Sequence, residues 1–107
     1  MINIHLELDE DRCLKNLKVS GHEQLKGQDY AIVCTAVTFL FRTVAHAVTN
    51  KKELAALLNA PKPGILELRI DKHHEKWIDW LKGVTDILLT GIFDLQTEYP
   101  GAIKFNK

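Results

Sequence analysis

The sequence predicts an α+β fold: a two-layer domain in which a small, mostly antiparallel sheet is covered by two long helices, in the order β-β-α-(short α)-β-α-β. Three observations lead there. Short stretches near the N-terminus and in the middle alternate apolar and polar residues with period two, the mark of strands with one buried face. Two longer stretches repeat apolar or polar residues at steps of three and four, the mark of helices. The two kinds of segment interleave along 107 residues without repeat, low-complexity tract or linker, so one domain over residues 1–107 with a single modest core is expected.

The first strand is read from Ile2, Ile4, Leu6 and Leu8, which alternate with Asn3, His5 and Glu7. Residues 9–12 form the turn. In the second strand, residues 14–20, Leu17 and Val19 share one face, and Leu14 breaks the parity, which hints at a bulge. This strand ends at Gly21-His22, and residues 23–28 carry no period and one glycine, Gly27, so they form a loop. From about residue 29 to 50 the chain has almost no charge apart from Arg42. Such a run raises the question of a membrane span. The spacing answers it: Thr35, Thr38, Arg42, His46 and Thr49 recur at steps of three and four and draw one narrow polar stripe along an apolar helix. That pattern describes a buried helix with one wet edge.

Asn50-Lys51-Lys52-Glu53 resembles a capping box, and Leu54, Leu57 and Leu58 follow at helical spacing, so a short helix is expected there. Pro61-Lys62-Pro63-Gly64 breaks the chain, and Leu66, Leu68 and Ile70 alternate with Glu67 and Arg69 as a third strand. Asp71 is placed to cap the next element. Trp77, Leu81, Val84, Leu88, Ile92 and Leu95 then step through a long amphipathic helix that stops at Pro100-Gly101, and Ile103-Lys104-Phe105 forms a closing strand. Gly83 and Gly91 each weaken that helix by roughly 1 kcal/mol relative to Ala, which close backbone packing would offset.

Fourteen Lys plus Arg balance fourteen Asp plus Glu, so no net field draws the chain to nucleic acid or to an acidic membrane. The N-terminus has neither the basic region nor the apolar run of a signal peptide, and a cytoplasmic protein is expected. Two cysteines, Cys13 and Cys34, are too few for a disulfide framework and lack the spacing of a zinc site, so both are expected as thiols with no metal or cofactor.

Cys34 lies near the start of the first long helix, where unpaired N–H groups and the macrodipole favour a thiolate. On the helical wheel it falls at the border between the polar stripe and the apolar face. A lone cysteine in an apolar helix is more often core filler. What raises its interest is His22, which follows a glycine at a strand end and is joined to Cys34 by eleven residues, a link long enough to bring imidazole and thiol together. Cys13, beside a charged turn with no neighbouring histidine, is read as structural. Asp29 is read as a helix cap before any third catalytic member. His46, about 18 Å along the helix from Cys34, is too distant to assist. His73 and His74 lack the further ligands a metal needs. Trp77 is read as core or dimer surface, and Trp80, off the main apolar line, as an interface anchor.

Gly21-His22, a glycine-bearing loop and Ile32-Val33-Cys34-Thr35-Ala36-Val37-Thr38 together resemble the ribosomal-processing cysteine protease family of bacteria, including the twelve-position separation of His and Cys. The resemblance implies an endopeptidase that removes an N-terminal extension from large-subunit ribosomal protein twenty-seven, cutting after a short apolar and aromatic motif. It implies a homodimer, a precursor of that ribosomal protein as partner, Cys34 as nucleophile and His22 as general base, with N–H groups at the helix start holding the oxyanion. Gly21, Gly27 and Asp29 would belong to the substrate loop. Ala31 stands where the family commonly has an acidic residue, with Asp29 two positions earlier and Gly27 likewise displaced. Those departures motivate an alternative, a non-catalytic ribosome-assembly or peptide-binding module on the same fold.

Overall fold

A computed structural model of the chain describes residues 2–21, 30–62, 64–71 and 75–106. Five strands and two long helices follow one another as β1 (Ile2–Leu8), β2 (Leu14–Ser20), α1 (Tyr30–Thr49), β3 (Ala56–Lys62), β4 (Ile65–Ile70), α2 (Ile78–Glu98) and β5 (Ile103–Asn106). The strands form one sheet in the order β3-β4-β2-β1-β5. All neighbours are antiparallel except β1 and β5, which run parallel. The α+β, two-layer expectation holds.

Period-two patterning explains which side of the sheet is covered. Register pairs Ile4 with Val19, Leu6 with Leu17 and Leu17 with Leu68, so the apolar members of three strands fall on one face, and all of them are buried. Their alternates, such as His5, Lys18 and Arg69, are exposed on the other face. Cross-strand pairs there, Lys18 with Glu67 at 3.8 Å and Lys15 with Glu7 at 3.7 Å, are solvent-exposed and contribute little to stability. The helices lie over the apolar face. α1 supplies Val33, Val37, Phe41, Ala45 and Val48, and α2 supplies Leu81, Leu88 and Ile92; each fully buried Leu, Ile or Phe contributes roughly 1.5–3 kcal/mol. By length and hydropathy residues 31–49 could cross a membrane; 33% of that stretch is buried, along the face that packs on the sheet.

The parity break at Leu14 is a β-bulge. Glu7 pairs with Asn16 and Leu8 with Leu14, so Lys15 is the extra residue. It allows Leu14 and Leu17, three apart, both to point inward. The preceding turn is held by Asp9, whose Oδ1 accepts from the N–H groups of Asp11 at 2.9 Å and Cys13 at 3.0 Å. At the bulge the Leu14 N–H donates to Thr85 Oγ1 on α2 at 2.9 Å, and that hydroxyl donates onward to the Leu81 carbonyl at 2.7 Å. A buried polar residue inside the apolar helix face is thereby satisfied.

Between α1 and β4 the structure corrects the sequence reading. The short helix is only a single 3-10 turn at Lys52–Leu54, with no side-chain cap, and Ala55 then turns the chain in the left-handed region at φ +48°. Residues 56–62 are extended as edge strand β3. The leucines that suggested a helix are divided: Leu54 is buried, whereas Leu57 and Leu58 stand exposed on the strand. Pro61 is compatible because β3 is an edge and its pairing shifts between Asn59 and Lys62. Asp71 pairs with Arg69 Nε at 3.0 Å, and the residues it is expected to cap lie outside the described ones. α2 is preceded by a 3-10 turn at Glu75–Trp77.

Trp77 and Trp80 meet edge to face at 5.9 Å, and Lys51 Nζ sits 4.8 Å and 5.1 Å from their ring centres. Both rings are half-buried where the chain leaves α1, with the Lys51 ammonium over them. The two helical glycines differ. A Cβ on Gly91 would meet Leu40 Cδ2 at 3.0 Å, which is the close packing expected, while a Cβ on Gly83 would meet nothing within 4 Å.

Two outcomes follow. Thr85→Val keeps the shape but orphans the buried Leu14 N–H, and chemical denaturation should show a loss of about 1–3 kcal/mol. Gly83→Ala should raise stability by about 0.5–1 kcal/mol in the same assay.

Candidate active site

The site is built where the far end of β2, one flank of α1 and the β3–β4 hairpin converge. α1 is anchored to the sheet through Val33, Val37, Phe41 and Ala45. The residues one position later, Cys34, Thr38, Arg42 and His46, are turned about 100° from that stripe, and all four line a cleft of about 770 Å³. Leu58, Ala60, Pro61 and Ile65 of the hairpin form the opposite wall, and Val19 of β2 closes one side. The same four α1 residues also border a shallower groove with Phe39 and Thr43. The polar stripe read from the sequence is therefore a ridge between two depressions.

Cys34 is half-buried on this ridge and packs against the core. It stands in the second turn of α1, counting from Tyr30. An α-helix commits the N–H of its fifth residue to the carbonyl four positions back, so unpaired donors belong to the first turn and not to Cys34 itself. Gly21 follows β2 in a buried position with φ +88°. A side chain is strained in that conformation, so the glycine is what lets the chain turn sharply there. His22, Gly27 and Asp29 lie outside the described residues, as do His73 and His74.

Cys13 is the counterexample. It is fully buried, its Sγ lies 3.5 Å from the Ile78 carbonyl oxygen, and no disulfide joins it to Cys34. Burial, and after it the carboxylates of Asp9 and Asp11, pushes its thiol pKa up, which keeps it protonated and unreactive. Of the described histidines, His5 is exposed on the outer face of the sheet, and His46 shares the cleft three turns beyond Cys34. No group of three or more His, Cys, Asp or Glu suited to a metal occurs among the described residues. The hairpin wall is what sequence reasoning missed, because residues 51–59 were read as helical. The available signal was the Pro-Lys-Pro-Gly break followed by an alternating strand, which also fits a hairpin with its own edge strand.

A half-exposed thiol on the wall of an apolar cleft, next to a strand end, suits attack on a carbonyl of an extended peptide. The comparisons agree. The family model described as cysteine protease Prp matches residues 1–104. The crystal structure of an essential ribosomal processing protease Prp from S. aureus, in complex with a substrate peptide, superposes with a TM-score of 0.79 at 15% identity, covering 99% of this chain and 98% of that one. A second S. aureus structure of that protease, with a covalently linked product peptide, gives 0.75 at 16% identity over 99% and 98%. SMU.848 from Streptococcus mutans gives 0.75 at 18% identity over 99% and 96%. At such identities the structural likeness shows a shared fold. No match was found among curated proteins.

The contrast between the thiols is open to measurement. Brief treatment of the native protein with iodoacetamide at neutral pH should add one label, at Cys34, with Cys13 labelled only after denaturation; mass spectrometry of the digested chain reads the site directly.

Proposed function

The chain belongs to the cysteine protease Prp family, and from that membership we propose that it is the endopeptidase that removes an N-terminal extension from large-subunit ribosomal protein twenty-seven, with Cys34 as nucleophile and His22 as general base. The observation that carries the dyad is the shared cleft: Val19 of β2 and Cys34 of α1 both line it. His22 is three residues beyond Val19 and directly after the turn at Gly21, within about 10 Å of chain. Of the described histidines, His5 faces the other side of the sheet and His46 stands too far along the helix, so neither competes for the role.

In this reading a substrate strand lies in the cleft with its scissile carbonyl at Cys34. His22 takes the thiol proton, the thiolate adds to the carbonyl carbon, and the imidazolium returns the proton to the leaving amine. Water then attacks the thioester with His22 again as base, releasing the new carboxylate. First-turn N–H groups of α1 are the donors available to the oxyanion. Gly21, Gly27 and Asp29 belong to the segment that shapes the substrate side. The apolar walls from Phe41, Leu58 and Ile65 suit an apolar and aromatic motif. The ribosomal assignment is supported by the substrate complex of the S. aureus relative. We further infer a cytoplasmic homodimer, supported by large apolar side chains exposed on both helices, Ile32, Phe39, Ile87 and Phe93.

The test is cleavage of a synthetic peptide spanning the extension of the host's own ribosomal protein. Cys34→Ala and His22→Ala should each lower kcat/KM by about 10³-fold or more. Binding of the peptide without cleavage by the wild type would favour the non-catalytic module, and light scattering reads the dimer.

A further inference from the structure

Arg42 is the one charged side chain of α1, and its position is informative. An arginine on an otherwise apolar helix is kept where its head reaches water or a partner. It lies on the cleft ridge, exposed, and makes no ion pair among the described residues. Lys62, at the tip of the facing strand, is also exposed and lines the same cleft, as does His46. No Asp or Glu lines it among the described residues. The walls between these heads are apolar. The chain as a whole is neutral, so this one-signed rim is a local arrangement and not an overflow of net charge.

We propose that Arg42, seconded by Lys62, is a specificity determinant that selects peptides carrying a carboxylate side chain on one side of the scissile bond, next to the apolar segment that fills the cleft. This rests on Cys34 marking the cutting point. Arg42 is eight residues beyond Cys34 on the same face, about 12 Å along the helix axis. An extended peptide advances roughly 3.3 Å per residue, so the favoured acidic residue lies roughly three to four residues from the scissile bond. The guanidinium is suited to grip it through paired N–H donors, and the low-dielectric cleft wall strengthens that contact relative to open solvent.

The experiment uses fluorescein-labelled peptides with one apolar core in which Glu, Gln or Lys is moved through successive positions on either side. Affinity is read by polarisation on the Cys34→Ala protein, and cleavage is read on the wild type. Glu at the third or fourth position on one side should bind about three- to tenfold more tightly than Gln there, with Lys weakest. High salt should shrink the preference, and Arg42→Glu should reverse it in favour of Lys, an outcome misfolding does not produce. Equal binding of Glu and Gln peptides at every position, or a preference unchanged in Arg42→Glu, overturns the inference. Cleavage without charge preference likewise overturns it while leaving the protease reading intact. A reversible charge preference in binding, with no cutting by the wild type, upholds the carboxylate-selecting role of Arg42 and removes the protease reading, together with the placement relative to a scissile bond.

Discussion

One sheet face is apolar across its strands and must be sealed from water, and the orientation of α1 follows from that requirement. Val33, Val37, Phe41 and Ala45 are held against the sheet, so the helix has no freedom to rotate about its axis without exposing them. The residues that follow each of these, Cys34, Thr38, Arg42 and His46, are carried to the flank as a consequence. Core packing and site geometry are thus one constraint. A turn of about 100° would exchange the two rows, burying the arginine and exposing the phenylalanine.

The same packing separates the two cysteines. Cys13 is sealed beneath α2 beside two carboxylates, both of which oppose ionisation. Cys34, at the margin of the core, keeps a surface on the cleft. Residue type is shared, and the environment decides which thiol has access to a substrate. The bulge at Lys15 and the Thr85 relay matter here at one remove, because they fix how β2 meets α2. The far end of β2, at Val19, borders the cleft.

Most of the fold was legible in the sequence. Five of the seven long elements were readable from period alone, since one-sided burial writes itself into the chain as alternation or as a stripe, and β5 was marked by its few residues after Pro100-Gly101. β3 was not legible. As an exposed edge strand with no buried residue it has no face to imprint an alternation, and Leu54, Leu57 and Leu58 mimicked helical spacing while serving different structures. At the site, the Gly-His and Ile-Val-Cys segments with their spacing made Cys34 and His22 the candidates, and of the two the structure describes Cys34 alone. The facing wall was invisible because it belongs to the misread segment.

The sequence by itself determined the layers, the strand faces and the chemistry-bearing residue types, because each depends on neighbours one to four positions away. Only the tertiary structure decided that Cys34 opens onto a cleft, that the β3–β4 hairpin supplies its far wall and that Arg42 and Lys62 share its rim. Those relations join residues tens of positions apart, brought together by sheet pairing and helix docking, and no local period records them.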